Sequence, residues 1–225
     1  KHLAEFRNRR LESVKSATYN KDFNFISVVI STAINDWGIY LPHNPCKMMK
    51  RESEPKPRKR VLENDEQTRL IEACALSENI YLKPMVQFSI ETAIRQGELL
   101  KIKYEHINFK KRLVTLYDTK NGEDRTIPLS QKAFTILCSL PRQFNGRMFP
   151  MTRDSLKFWW KQACRRAKIK GLRWHDLRRH AITIMFEEKG LDVPTVQLIS
   201  GHKNPMVLLN TYTKLNPEKL VAKLG

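Results

Sequence analysis

The sequence predicts a mostly α-helical protein with one small antiparallel sheet, an α+β fold. Three observations lead there. Apolar residues recur at helical spacing through most of the chain, most plainly from Phe23 to Trp37. Two short β-prone runs, Arg112 to Tyr117 and Arg125 to Leu129, flank Lys120-Asn121-Gly122, and Asn-Gly is a strong hairpin-turn signal. Between the first helical region and the rest lies KRESEPKPRKR, a stretch with two prolines and six basic residues that makes a poor helix and a good extended linker.

Each element follows in order. Residues 1–50 read as helices: Leu3, Phe6 and Leu11 begin one, Phe23 to Trp37 is a longer one, and Pro42 and Pro45 stop the pattern. Residues 51–60 are the basic linker and 61–225 a second domain. That domain opens on Asn64, with Gln67 three residues later, an N-cap pattern. Helices are predicted to about Ala75 and again from Tyr81 to Lys101. After the hairpin the chain reads as helical almost to its end, with breaks at Pro141, Pro150, Gly171, Gly190, Gly201 and Pro217. Asp192 and Pro194 start a helix that Gly201 can close in the left-handed conformation. Asn216-Pro217 can start a last helix with Leu220, Val221 and Leu224 on one face. The sequence holds no internal repeat.

Charge narrows the partner. Lys and Arg total 41 against 23 Asp and Glu, a formal net charge of +18, while 41% hydrophobic content is ordinary for a globular protein. Such an excess points to a polyanion, and both sides of the linker share it, so two basic parts can clamp DNA between them. No long apolar run and no lipidation signal support a membrane partner. Cys46, Cys74, Cys138 and Cys164 are widely spaced with no C-x-x-C pair, which predicts free thiols in a reduced, cytoplasmic compartment. The chain begins at Lys1 without Met or a signal-peptide pattern, and the expectation is a piece of a longer cytosolic protein.

Four segments carry residues suited to chemistry. In TAIRQGELL, Arg95 and Glu98 are three apart on a predicted helix among apolar neighbours; a structural ion pair and a functional pair both fit. Lys120 sits at the hairpin turn, where a solvated lysine is the ordinary case. In WHDLRRHAIT, Leu177, Ala181 and Ile184 form a buried face, while His175 and Arg178 project together from the first turn, where a helix N-terminus favours an anion. In LISGHKNPMVLLNTYTKL, His202 directly follows the Gly201 cap and Tyr212 comes ten residues later. A tyrosine in an apolar segment is usually core, and its hydroxyl, with a pKa of ~10, needs electrostatic help to act as a nucleophile.

Taken in order, Arg…Lys…His-x-x-Arg…Gly-His…Tyr resembles the signature of the tyrosine recombinase, or phage integrase, family, and TAIRQGELL, DTKNGEDRTIPLS, HDLRRHAIT and ISGHKNP resemble its boxes. The resemblance covers nearly the whole chain. It implies that 1–50 is the end of a helical core-binding domain and 61–225 the catalytic domain. It implies that Arg95 and Arg178 clamp the scissile phosphate, that His175 and His202 hydrogen-bond it, and that Lys120 protonates the leaving 5′ hydroxyl. Glu98 would support the site, and Tyr212 would attack to give a 3′-phosphotyrosine. Lys56, Arg58, Lys59 and Arg60 of the linker, and Arg179, are the expected DNA contacts.

The chemistry is consistent with these roles. In-line displacement at a phosphodiester piles negative charge on equatorial oxygens, so fixed cations can do what metals do elsewhere. No carboxylate cluster for Mg²⁺ and no G-x-x-x-x-G-K-[ST] loop is apparent, so neither metal, ATP nor other cofactor is expected. The expected partner is double-stranded DNA at attachment-type sites, bound by a tetramer that is monomeric when free. A catalytically inactive DNA-binding regulator and a type IB-like topoisomerase are the rival readings. Four positions depart from the family pattern: Ala93 replaces a common Gly, Arg179 a frequent His, Ser200 a frequent Leu, and the gap from His202 to Tyr212 is one residue longer than usual. The longer gap could turn a helical tyrosine by about 100°, and Pro205 suggests a loop or irregular turn that could absorb it.

Overall fold

A computed structural model of the chain describes residues 1–56, 58–63, 65–117 and 124–212, with the side chains of 210–212 left aside. The predicted N-cap at Asn64, the hairpin turn with Lys120, and the last helix after Pro217 lie outside the described residues. The chain divides into two compact units, Lys1–Arg58 and Lys59–Gly225.

The first unit is two helices and a turn. Helix α1 (His2–Ser13) and helix α2 (Ser16–Asn35) are followed by a 3-10 turn at Pro45–Met48. Tyr19 and Phe23, one helical turn apart, stack with centroids 5.5 Å apart and form a small core with Cys46, Leu3, Phe6 and Ile30. Buried polar groups find partners, as they must. Asn44 donates to the Ser27 carbonyl at 2.8 Å and accepts from the Cys46 N–H at 2.9 Å. Asn20 exchanges hydrogen bonds with the backbone of Glu52, at 2.8 and 3.1 Å, which ties the first residues of the linker to α2. The rest of the described linker, through Arg60, is neither helix nor strand.

The second unit is helical around one sheet. Helices α3 (Glu66–Ala75), α4 (Leu82–Thr92) and α5 (Gln96–Leu99) precede strands β1 (Ile107–Asn108), β2 (Leu113–Leu116) and β3 (Arg125–Pro128). Helices α6 (Gln131–Cys138), α7 (Arg153–Arg166), α8 (Trp174–Glu187), α9 (Val193–Ser200) and α10 (Pro205–Tyr212) follow. The strands pair antiparallel in the order β1-β2-β3, with Val114 opposite Ile127 and Leu116 opposite Arg125. Period-2 alternation sends Val114, Leu116 and Ile127 inward. The two-residue β1 is too short to show a period in the sequence.

Two apolar cores organise this unit. The larger gathers Leu70, Met85, Phe88, Leu99, Ile127, Phe149, Leu156 and Leu177 from α3 to α8. Fully burying each such side chain stabilises by roughly 1.5–3 kcal/mol. The smaller joins Ala93 to Ala181, Ile182 and Met185 of α8, Val196 and Ile199 of α9, and Leu208 of α10. It is this second core that seats α10, and with it the backbone of Tyr212. Cys46, Cys74 and Cys164 are buried free thiols, and Cys138 is an exposed one.

Two expectations need correction. The helix predicted from Tyr81 to Lys101 is broken. Ala93 ends α4 in the left-handed conformation (φ 52), and Arg95 is extended (φ −74, ψ 145) as the N-cap of α5. No Gly or Pro marks the break, so helical periodicity runs straight through it; tertiary bonds to Ala93 and Arg95, given below, hold it open. Pro205, expected in a loop or irregular turn, instead opens α10 just after one, a first-turn position where its missing N–H costs nothing. Asn204 caps this helix by accepting from the Met206 N–H at 2.8 Å, and the turn is confined to 202–204.

Candidate active site

Glu98 is the centre of the predicted constellation. It is buried, 6% exposed. Its Oε1 accepts from Arg95 Nη1 and Arg125 Nη1, both at 2.8 Å. Its Oε2 accepts from the Arg95 backbone N–H at 3.0 Å and Arg125 Nη2 at 2.8 Å. An ionised carboxylate offers about four acceptor sites, and here four donors meet them. Burial alone would raise the pKa of this carboxyl; the hydrogen bonds and charge of Arg125, and then those of Arg95, lower it to about 2. Arg95 and Glu98 therefore meet across a helix N-terminus, through backbone and side chain, and not along one face of a continuous helix.

Arg178 is also buried, 3% exposed. Its Nη1 donates to the Ala93 carbonyl at 2.6 Å, and its Nη2 lies 3.3 and 3.4 Å from the two ring nitrogens of His202. Arg95 Nη2 donates to the Gly201 carbonyl at 2.8 Å. The α9 cap at Gly201 (φ 67) thus presents its carbonyl to one arginine and places the next residue, His202, beside the other. Ser200, fully buried, has its Oγ 2.7 Å from His202 Nδ1, which fixes the ring from behind. Burial, followed by the charges of Arg178, Arg95 and Arg125, pulls the His202 pKa down to about 4, so the imidazole is neutral at pH 7.

His175, in the first turn of α8, is exposed where Arg178, three residues on, is buried. Partial desolvation of its ring and the charges of Arg178 and Arg179 lower its pKa. Leu177 and Ala181 are buried as predicted, with Ile184 only partly so. The structure brings Arg95, Glu98, Arg178 and His202 into direct or shared contact and sets His175 within electrostatic reach. Lys120 lies outside the described residues, and Tyr212 is placed by its backbone at the end of α10.

The linker cations differ among themselves. Lys56, Arg58 and Lys59 are exposed. Arg60 is turned inward, donates to Glu66 Oε1 at 2.5 Å, and also bonds the Val61 carbonyl.

Sequence reasoning missed two residues. Arg125 supplies half the hydrogen bonds to Glu98. A signal existed: Arg125 lies two residues before the buried Ile127 on one strand, so both face inward, and an inward arginine demands a carboxylate. Ser200 stands out in the sequence only as a departure from the family pattern; a polar residue at a buried helix end beside histidine is a hydrogen-bond partner for the ring. The described site thus brings three guanidiniums, those of Arg95, Arg125 and Arg178, together with the buried carboxylate of Glu98, with two histidines alongside. Among the described residues no three His, Cys, Asp or Glu side chains gather as a metal site.

A buried carboxylate bracing an arginine-rich cluster, on a helical domain with one small sheet, defines a site for an anionic group. The model of the phage integrase family matches residues 60–219, and the chain belongs to that family. Over 99% of its length it is 33% identical to a shufflon-specific DNA recombinase of Escherichia coli, of which it covers 57%. Two solved structures share the fold. The Tn1549 transposon integrase in complex with a circular intermediate DNA superposes with a TM-score of 0.75 at 17% identity, covering 98% of this chain and 82% of that one. A lambda integrase tetramer bound to a Holliday junction superposes with a TM-score of 0.71 at 18% identity, covering 95% and 65%. The chain spans about three fifths of the length of the curated relatives it matches. No described helix is long and apolar enough to cross a membrane.

Proposed function

We propose that this chain carries out site-specific recombination of double-stranded DNA, breaking and rejoining strands through a 3′-phosphotyrosine on Tyr212. The observation that carries the reading is the cluster of Arg95, Arg178 and His202 about the buried Glu98. It is a preorganised site rich in guanidinium groups, and its buried carboxylate is already fully bonded. A scissile phosphate is the anion that these groups would receive. Arg95 and Arg178 hold its non-bridging oxygens, His175 and neutral His202 hydrogen-bond them, and the same groups stabilise the extra charge of the transition state.

In the reaction the Tyr212 oxygen bonds to phosphorus as the bond to the 5′ oxygen breaks. The tyrosine proton passes to His175 or water, and Lys120 gives a proton to the leaving 5′ oxygen. The phosphotyrosine conserves the ester, so a 5′ hydroxyl from another strand reverses the step without ATP. Residues 1–50 act as part of a core-binding domain, 51–60 as a basic connection, and 61–225 as the catalytic domain. The recombining form is a tetramer on two paired duplexes, assembled from monomers in the cytoplasm. The family match and the basic charge of both parts support DNA as the partner.

Incubation with a cognate site nicked next to the scissile phosphate tests this, because the released oligonucleotide diffuses away and traps the adduct. The wild type is expected to give a protein–DNA band on a denaturing gel, and Tyr212→Phe none, with DNA affinity nearly intact. An adduct from the Phe variant would remove Tyr212 from the role. Absence of any adduct from the wild type on a bound site would favour the inactive regulator.

A further inference from the structure

We propose that Arg125, at the start of β3, is a positioning residue for the phosphate-binding site, acting as a wedge that fixes both Glu98 and the Gly201-His202 turn. The inference rests on the recombinase reading for its consequence in catalysis, though not for its geometry.

The geometry has two sides. On one, both terminal nitrogens of Arg125 grip Glu98, each at 2.8 Å, a two-pronged arrangement that fixes the carboxylate plane as well as its charge. On the other, the guanidinium lies against Gly201. A Cβ built there would sit 2.7 Å from Nε, 2.8 Å from Cζ and 2.9 Å from Cδ. Nε is itself buried, with no hydrogen-bond partner among the described residues. A buried N–H without a partner is costly, and this one lies where the guanidinium leaves Gly201 no room for a side chain.

Both surfaces that Arg125 touches are anchors of Arg95. Arg95 Nη1 donates to Glu98 and Nη2 to the Gly201 carbonyl. Removing Arg125 would release both anchors at once and leave Glu98 with a single cationic partner, so that Arg95 is drawn into compensating the carboxylate. The residue following Gly201 is His202, so the backbone turn that carries its ring would lose this support, while Ser200 and Arg178 still hold the ring itself. Arg125 is the first residue of β3, so its grip on Glu98 also ties the start of that strand to α5. None of this needs Arg125 to touch DNA.

The test compares Arg125→Ala and Arg125→Lys with the wild type in single-turnover adduct formation, on a normal scissile phosphodiester and on one carrying a neutral methylphosphonate. A misplaced phosphate clamp costs rate through position, about 100-fold for displacements near 1 Å. Arg125→Ala is expected to lose about 100-fold on the phosphodiester, at unchanged DNA Kd, and far less on the methylphosphonate, whose lost charge no longer needs the clamp. Arg125→Lys keeps the charge without the two-pronged grip; it should regain part of the rate and, if the Ala variant fails to fold, still show a loss of about tenfold. Full-speed cleavage by Arg125→Lys, or equal losses on both substrates, would overturn the proposal. A second readout needs no turnover: the Arg95 guanidinium N–H signals in nitrogen-resolved NMR should be slowly exchanging in the wild type and fast in Arg125→Lys. Unchanged exchange would refute the positioning role. A wild type with protected Arg95 protons and no adduct would instead refute the recombinase reading.

Discussion

Glu98→Gln keeps the shape of the side chain and removes its charge. In the folded protein the carboxyl sits at about 2 against an ordinary 4.5. Folding therefore favours its ionised form by about 3 kcal/mol at neutral pH. The group is nearly fully buried, so solvent screening takes little from that figure. The Gln variant loses this term and turns an amide N–H₂ toward guanidinium donors that need acceptors. The sign with pH follows from the direction of the shift. A carboxyl with a lowered folded pKa contributes stability that is complete above its unfolded value and is lost as pH falls through the folded one. The gap between wild type and Glu98→Gln should thus be about 3 kcal/mol at pH 7 and close between pH ~4.5 and ~2. Urea unfolding followed by tryptophan fluorescence reads it. Trp159, Trp160 and Trp174 report on the second unit, and a Trp37→Phe background silences the exposed tryptophan of the first. A gap below about 1 kcal/mol, or one that does not narrow with acid, would refute the account of Glu98 as a fully satisfied ionised centre.

Other consequences can be measured alongside. Ser200→Ala removes the hydroxyl 2.7 Å from His202 Nδ1 and should slow adduct formation by about five- to tenfold, the worth of roughly 1 kcal/mol, with DNA affinity unchanged; an unaltered rate would show that His202 needs no support from behind. Gln at Lys56, Arg58 and Lys59 should lower the log–log salt slope of DNA binding by about 0.9 for each phosphate these cations neutralise, whereas Arg60→Gln should mainly lower stability, because its guanidinium is held by Glu66. If the salt slope tracks Arg60 instead, the assignment of roles within the linker is reversed. Single-turnover cleavage should proceed in excess EDTA, since the proposed cations are side chains; a strict Mg²⁺ requirement would contradict that.

The parts legible in the sequence are those that depend on short-range pattern. The β-prone runs from Arg112 to Tyr117 and from Arg125 to Leu129, with Asn121-Gly122 between them, predict β2 and β3. Asp192, Pro194 and Gly201 predict both ends of α9, because caps are local chemistry. The break at Ala93 is illegible for the opposite reason. The one weak helix former in TAIRQGELL besides its β-branched residues is Gly97, which lies past the break, and the left-handed residue there is an alanine, which strains against φ 52 by roughly 1–2 kcal/mol. What holds it is a bond from Arg178, 85 residues away. Arg125 escapes in the same manner: its partners Glu98 and Gly201 lie far off in the chain, and only the strand period points inward.

These long-range bonds also explain why so many charged groups can share one small volume. Arg178 is anchored to the carbonyl of Ala93 and Arg95 to that of Gly201, and both acceptors are left-handed residues closing a helix. A residue in that conformation turns its carbonyl out of the helical ladder, so it is available to a side chain from elsewhere. The two arginines are laced crosswise: α8 reaches the end of α4, and the start of α5 reaches the end of α9. Each guanidinium is thereby fixed by a neutral dipole, and Arg95 by the charge of Glu98 as well. Carboxylates alone would cancel the charge of the arginines that they hold; backbone carbonyls share the task here. The smaller apolar core packs Ala93 against α8, α9 and α10, so the packing that seats α10 also holds the end of α4, to which Arg178 is anchored.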